Sequence, residues 1–175
     1  KEIYETSIKP TENLLRGDSY SLDNLTQLGV SELKSIIASK ILVAKQNGIH
    51  VVLEIESKIN DVYMDIIDLC RIVSSFLDNA IEAARDTPDP RIGIVLISDP
   101  HLLTVLIRNT YQPEPLMAIP IDELYRKGFS TKADNRGFGL YNIKKVLHTN
   151  KYVTLDTRKD KHYFMQTLII KRETP

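Results

Sequence analysis

One segment, from Asp61 to Arg85, limits what this chain can fold into more than any other. Its apolar residues Ile66, Leu69, Cys70, Val73, Phe76, Leu77, Ala80, Ile81 and Ala84 recur at steps of three and one. That rhythm marks a single stripe along an α-helix. The spacing predicts a long amphipathic helix, broken afterwards by Pro88 and Pro90. Such a stripe has to be buried against a second layer of structure. The opposite face carries Asp68, Arg71, Ser75, Asp78, Asn79 and Glu82. Cys70, lying in the stripe, is expected to be a core thiol.

The flanking segments say what that second layer is. Leu33, Ile36, Ile37, Ile41 and Ala44 follow Ser31 at helical spacing, and Asn47-Gly48 ends the run. Ile49 to Glu56 alternates as a strand does. Strands are predicted over Arg91–Ser98 and Leu102–Arg108, with Asp99-Pro100-His101 as the hairpin turn between them. From Asn109 to about Arg136 no core pattern is visible, and one short helical turn, Asp122–Lys127, is the only element expected there. A connection of that length is functional or disordered. Gly137-Phe138-Gly139 opens another helix, with Leu140, Ile143 and Leu147 on one face. Strands over Tyr152–Thr157 and Tyr163–Lys171 close the chain. Residues 1–30 are polar and weakly patterned, an irregular or partly helical lead-in. Mixed helices and strands with antiparallel hairpins give an α+β chain: a two-layer sandwich, one mixed sheet covered by helices on one face.

Charge narrows the partners. Lys plus Arg and Asp plus Glu both number 23, so the formal net charge is zero. This removes the electrostatic case for a nucleic-acid binder. The lone cysteine can form no internal disulfide and belongs to no zinc-ligand spacing, which fits a reducing, cytosolic setting. No apolar run approaches the ~20 residues needed to span a membrane, and no signal peptide is visible. The first residue is Lys, so the chain is read as a fragment of a longer protein.

Three features carry chemistry. Asn79 lies on the polar face of the long helix, with Ser75 a turn before it and Glu82 a turn after. An amide oxygen is a hard, neutral ligand suited to Mg2+. By periodicity alone that face is simply solvated. Arg136-Gly137-Phe138-Gly139-Leu140 stands at a helix start, where glycines let backbone N–H groups approach a phosphate. A bare Gly-x-Gly also fits a plain loop-to-helix turn. Just upstream, Lys127, Phe129, Ser130, Thr131, Lys132 and Arg136 form a basic, hydroxyl-bearing loop, a candidate lid.

Together these motifs bring a resemblance. Phe76-Leu77-Asp78-Asn79-Ala80-Ile81-Glu82-Ala83 resembles the N box of the GHKL superfamily of gyrase, Hsp90, histidine kinases and MutL. Gly-Phe-Ser-Thr-Lys at 128–132 is similar to the F box and the segment after it, and Arg-Gly-Phe-Gly-Leu to the G2 box. Within histidine kinases, these forms resemble the peptide-pheromone receptor kinases of Gram-positive bacteria, of the AgrC and ComD type. The resemblance covers roughly residues 31–171.

It implies a Bergerat-type ATP-binding catalytic domain over 31–175, with residues 1–30 as the possible end of a dimerisation domain. Asn79 would be the catalytic Mg2+ ligand, and Asn109 would replace the Asp that contacts adenine. Lys132 and Arg136 would contact phosphates, Gly137 and Gly139 would lend backbone amides, and Phe129 with Ser130 and Thr131 would belong to the lid. The cofactors implied are ATP and Mg2+. The γ-phosphoryl group would pass to a histidine on a missing dimerisation domain and then to a response regulator. The whole kinase would be a membrane-anchored homodimer of quorum-sensing type, and this cytoplasmic fragment monomeric. His50, His101, His148 and His162 do not match the pattern of a phosphoacceptor. A stand-alone GHKL ATPase and a non-catalytic docking module are the alternatives. The first would need a Glu where Ser75 stands, and the second rests on Asn109-Thr110-Tyr111-Gln112-Pro113 in place of the G1 glycines.

Overall fold

The computed structural model describes residues 22–128 and 139–173. In chain order its elements are α1 (Leu22–Thr26), α2 (Ser31–Gln46), β1 (His50–Ile55), α3 (Ile66–Arg85), β2 (Arg91–Ser98) and β3 (Leu102–Thr110). Next come a 3-10 turn (Leu116–Ala118), α4 (Ile121–Leu124), α5 (Gly139–Thr149), β4 (Val153–Lys159) and β5 (Tyr163–Lys171).

The five strands form one sheet in the order β1-β2-β3-β5-β4. β1 and β2 are parallel, and all other neighbours are antiparallel. A parallel pair requires a crossover, and α3 supplies it. On one sheet face Val51, Leu53, Ile92, Ile94, Leu96, Leu103, Val105, Ile107, Leu168 and Ile170 point into the core. The helices meet them with Leu33, Ile37 and Ile41 of α2, Leu69, Val73, Phe76 and Leu77 of α3, and Ile143 of α5. This is the mixed-sheet, two-layer α/β sandwich that the sequence predicts.

Helix α3 begins at Ile66, five residues later than its sequence reading at Asp61. The physical reason is its cap: the Asp65 carboxylate accepts the N–H groups of Ile67 and Asp68, at 2.9 and 3.0 Å. Ahead of the cap the chain is held elsewhere, since Ile59 pairs with Leu28 in an isolated parallel bridge. Leu25 and Leu28 are themselves buried in the core, and the Asn24 amide donates to the Leu53 carbonyl at 2.6 Å. Among the described residues no helix is long and apolar enough to cross a membrane.

Candidate functional site

The helix-facing side of the sheet changes character along its strands. One cross-strand row, Leu96, Val105, Leu168 and Leu155, is wholly apolar. The next row toward the end of β3 is Ile94, Ile107, Gln166 and Thr157, and the last is Ile92, Asn109, Phe164 and Lys159. The core face therefore turns polar at one end, and Asn109 sits in that end. It lies within β3, not beyond it: the strand runs to Thr110, two residues past its predicted end, because β5 is long enough to pair with it there. Asn109 is only 3% exposed, and its Nδ2 donates to the Thr110 carbonyl at 2.8 Å. A carbonyl can only accept, so this bond fixes the amide and leaves Oδ1 as its uncommitted, accepting end.

The C-terminal half of α3 is tied to the same end of the sheet. Thr87, just past α3, shares a hydroxyl–hydroxyl hydrogen bond of 3.1 Å with Thr110. The Gln112 amide donates to the Asp86 carbonyl at 2.8 Å. Asn79 lies about 9 Å along the helix before Arg85. Its neighbour Asp78 meets Lys40 of α2 at 2.6 Å. Asn79 is about 100° further round the helix, with Ser75 and Glu82 between the two, and all four line the groove between α2 and α3.

One polar atom of Asn79 bears on what this residue could hold. Its Nδ2 is buried and has no hydrogen-bond partner among the described residues. A buried donor left unpaired costs about 1–3 kcal/mol, so a group that satisfies it is expected. An Asn side chain offers an oxygen ligand and an N–H donor together, which suits a hydrated Mg2+ beside phosphate oxygens. The residues fit that group. The Thr167 hydroxyl is also buried and unpartnered, but it alternates with Gln166 and so faces the other side of the sheet.

The groove between α2 and α3 is about 990 Å3 and is lined by Ser35, Ser39, Cys70, Ser74, Asp78 and Asn79 among others. No residue of β3 lines it, so Asn109 is not part of this groove. Cys70 lines it and is half-buried, not enclosed in the core as its place in the apolar stripe suggests. Desolvation, with Glu32 as a lesser cause, pushes its thiol pKa up, which favours the unreactive thiol.

The stretch from Tyr111 to Gly128 is fastened to the polar end of the sheet. The Tyr111 hydroxyl donates to the Asp160 carbonyl at 2.5 Å. The Lys159 ammonium donates to the carbonyls of Leu116, at 2.5 Å, Met117, at 3.3 Å, and Ile119. The buried Tyr125 hydroxyl lies 2.5 Å from Thr157 Oγ1 and accepts from Gln166 Nε2 at 2.9 Å. Burial pushes the Tyr125 pKa up, and those two hydrogen bonds oppose it. Sequence reading misses Tyr125, Thr157, Lys159 and Gln166. The only available signal is aromatic residues in an otherwise polar stretch.

Of the residues singled out in the sequence, Asn79 lies on α3, Asn109 lies inside β3, and Gly139 takes the first position of α5. Phe129, Ser130, Thr131, Lys132, Arg136 and Gly137 lie outside the described residues.

The fold is a two-layer α/β sandwich whose helix-facing sheet surface turns polar at one end. The family model for the GHKL domain matches residues 64–171, and the chain belongs to that family. No curated protein matches it significantly in sequence. Among solved structures it is similar to the catalytic domain of histidine kinase ThkA in a nucleotide-free form, with a TM-score of 0.68, 18% identity, and 82% of this chain and 93% of that one covered. It is similar to the mycobacterial sensor histidine kinase MprB, with a TM-score of 0.59, 19% identity, and 80% and 95% covered. ThkA in complex with response regulator protein TrrA matches at a TM-score of 0.62 and 14% identity, covering 98% of this chain and 48% of that one. At these identities the likeness is one of fold.

Proposed function

We propose that this chain is the ATP-binding catalytic domain of a sensor histidine kinase. The observation that carries the reading is the unsatisfied buried amide nitrogen of Asn79 on α3, in a chain of the GHKL family. Bound ATP would supply the transferable phosphoryl group, with Mg2+ neutralising its charge. Asn79 would hold the metal and a phosphate oxygen. The accepting Oδ1 of Asn109 would meet the adenine amino group. Lys132, Arg136 and the amides of Gly137 and Gly139 would contact phosphates, and Phe129, Ser130 and Thr131 would belong to the lid. Phosphoryl transfer rests mostly on positioning and charge stabilisation, so these residues need no strong base among them.

The acceptor would be a histidine on a dimerisation domain, and the phosphoryl group would pass on to a response regulator. ThkA, whose fold this chain shares, is found with one. Residues 31–175 would be the catalytic domain and 1–30 a lead-in from the domain before it, packed onto the catalytic core through Leu25 and Leu28. The N box and Gly-Phe-Ser-Thr-Lys forms favour a peptide-pheromone receptor of the AgrC and ComD type. Its whole chain would be a membrane-anchored homodimer with this part in the cytosol.

Calorimetric titration of ATP, with and without Mg2+, tests the reading. Mg-dependent binding that disappears in Asn79→Ala supports it, as does phosphorylation of a separately added histidine domain. Steady hydrolysis by the chain alone would favour a stand-alone ATPase, which Ser75 in place of a Glu speaks against. A folded chain that binds no nucleotide at millimolar concentration would leave a docking module.

A further inference from the structure

We infer that Lys159 is a positioning residue for the nucleotide base, acting through the turn at Leu116–Ile119; the inference rests on the nucleotide-binding reading above. Lys159 stands at the end of β4, on the helix-facing side of the sheet. Its Cα pairs across the ladder with Phe164, which pairs in turn with Asn109. The lysine therefore lies two strand spacings, about 10 Å, from the residue proposed to read adenine.

A lysine ammonium has three protons to donate. Here it reaches the carbonyls of Leu116, Met117 and Ile119, so one side chain gathers the oxygens of a whole turn. Apolar burial does not hold that turn. Met117 is 40% exposed, Ala118 is exposed, and Leu116 and Ile119 are only half-buried. The ammonium does what a core side chain would otherwise do, and it fixes the turn beside the polar end of the sheet face. The Tyr125 hydroxyl repeats the device one row deeper, against Thr157 and Gln166. The two ties together make the stretch after β3 a wall of set position next to Asn109. A planar base is gripped well only if the groups beside it are already in place. Asn79 belongs to a different element, α3, so the metal and phosphate side of the site does not depend on Lys159.

The test is Lys159→Met, which keeps an unbranched chain and removes the ammonium. The β4–β5 ladder is made by the backbone and stays. Calorimetry of ATP and AMP, each with and without Mg2+, is paired with amide hydrogen exchange. ATP and AMP are expected to lose affinity by the same factor, about tenfold. The ratio of ATP affinities with and without Mg2+ is expected to stay at its wild-type value. Exchange should quicken at the amides of Met117, Ala118 and Ile119, which hydrogen-bond within the turn, and stay slow at Leu155 and Leu168 in the ladder. Lys159→Arg keeps the charge but cannot place a planar guanidinium on the same three carbonyls, so it should fall between the two. Quickened exchange with unchanged ATP and AMP affinities would overturn the inference. So would a fall in the Mg2+ ratio that matches the fall in affinity, since that marks general loosening. A wild-type chain that binds no ATP at all would instead overturn the nucleotide reading, and this inference with it.

Discussion

Asn79 is a costly residue to keep where it is. Its buried amide nitrogen satisfies nothing among the described residues, and Asn is a poorer helix former than Ala. Asn79→Ala is therefore expected to leave the unliganded protein as stable as before, or to stabilise it by about 1 kcal/mol, while abolishing Mg-dependent nucleotide binding. Denaturant unfolding of the two proteins checks this, and a clear loss of stability would mean that the amide has a structural partner after all. Asn109 is the opposite case. Its Nδ2 is committed to the Thr110 carbonyl, so Asn109→Asp sets two acceptors against each other in a buried place. About 2–3 kcal/mol of stability should be lost near neutral pH. The introduced carboxyl would have a folded-state pKa above its unfolded value. The deficit should thus shrink as pH falls through the raised pKa, and be smallest below about pH 4, where the protonated group can donate again. Unfolding at pH 7 and pH 4 measures it. A tighter ATP affinity with no loss of stability would show that the Thr110 bond does not govern this position.

Single elements show which parts of the fold sequence can declare. Helix α3 is legible because burial on one side imposes a period, and every residue from Leu69 to Ala84 that the stripe predicts as apolar is packed inward, Cys70 excepted. Its start is not legible, because Asp61 and Asp65 both look like caps and only the Leu28–Ile59 bridge decides between them. In the 111–128 stretch only the helical turn is legible, predicted over Asp122–Lys127 and found at Ile121–Leu124; the rest is not, for a different reason. What orders it is a set of hydrogen bonds to β4 and β5, thirty to fifty residues away in sequence, and such bonds leave no period. The same is true of Asn109, whose place inside β3 depends on how far β5 reaches. At the sheet's other edge, β1 holds Glu54, whose pKa is raised by desolvation and, less, by Glu56. A carboxyl with a raised folded-state pKa works against folding once it is ionised. Glu54→Gln should therefore melt above the wild type at pH 7, and the gap should close as pH falls toward and below the ordinary value of 4.5. Thermal melts across that range check it, and a gap that widened in acid would mean that the carboxylate is held by a favourable partner.

At the scale of the whole molecule, the proposed site would join parts that are distant in the chain. Asn79 is on α3, Asn109 is near the end of β3, Lys159 ends β4, and Gly139 opens α5. Side-chain hydrogen bonds between Thr87 and Thr110, and from Gln112 to Asp86, tie the end of α3 to the end of β3. A nucleotide held between these elements adds a further tie that the unfolded chain lacks, so binding must raise the melting temperature. With free ligand at a hundred times its dissociation constant the gain is about 2.7 kcal/mol. For a domain of this size each kcal/mol is worth about 2–4 °C, which predicts a rise of roughly 5–10 °C with saturating Mg-ATP. Chelating the metal should remove most of it, because the unsatisfied amide of Asn79 is where the metal would act. Asn79→Ala should show almost no rise at the same concentration, though its own melting temperature without ligand is not lowered. Lys159→Met should show a reduced rise that still depends on Mg2+. Differential scanning calorimetry of the three proteins, with ATP, Mg-ATP and neither, reads all of these at once. An equal rise in the wild type and Asn79→Ala would place the nucleotide somewhere other than at Asn79.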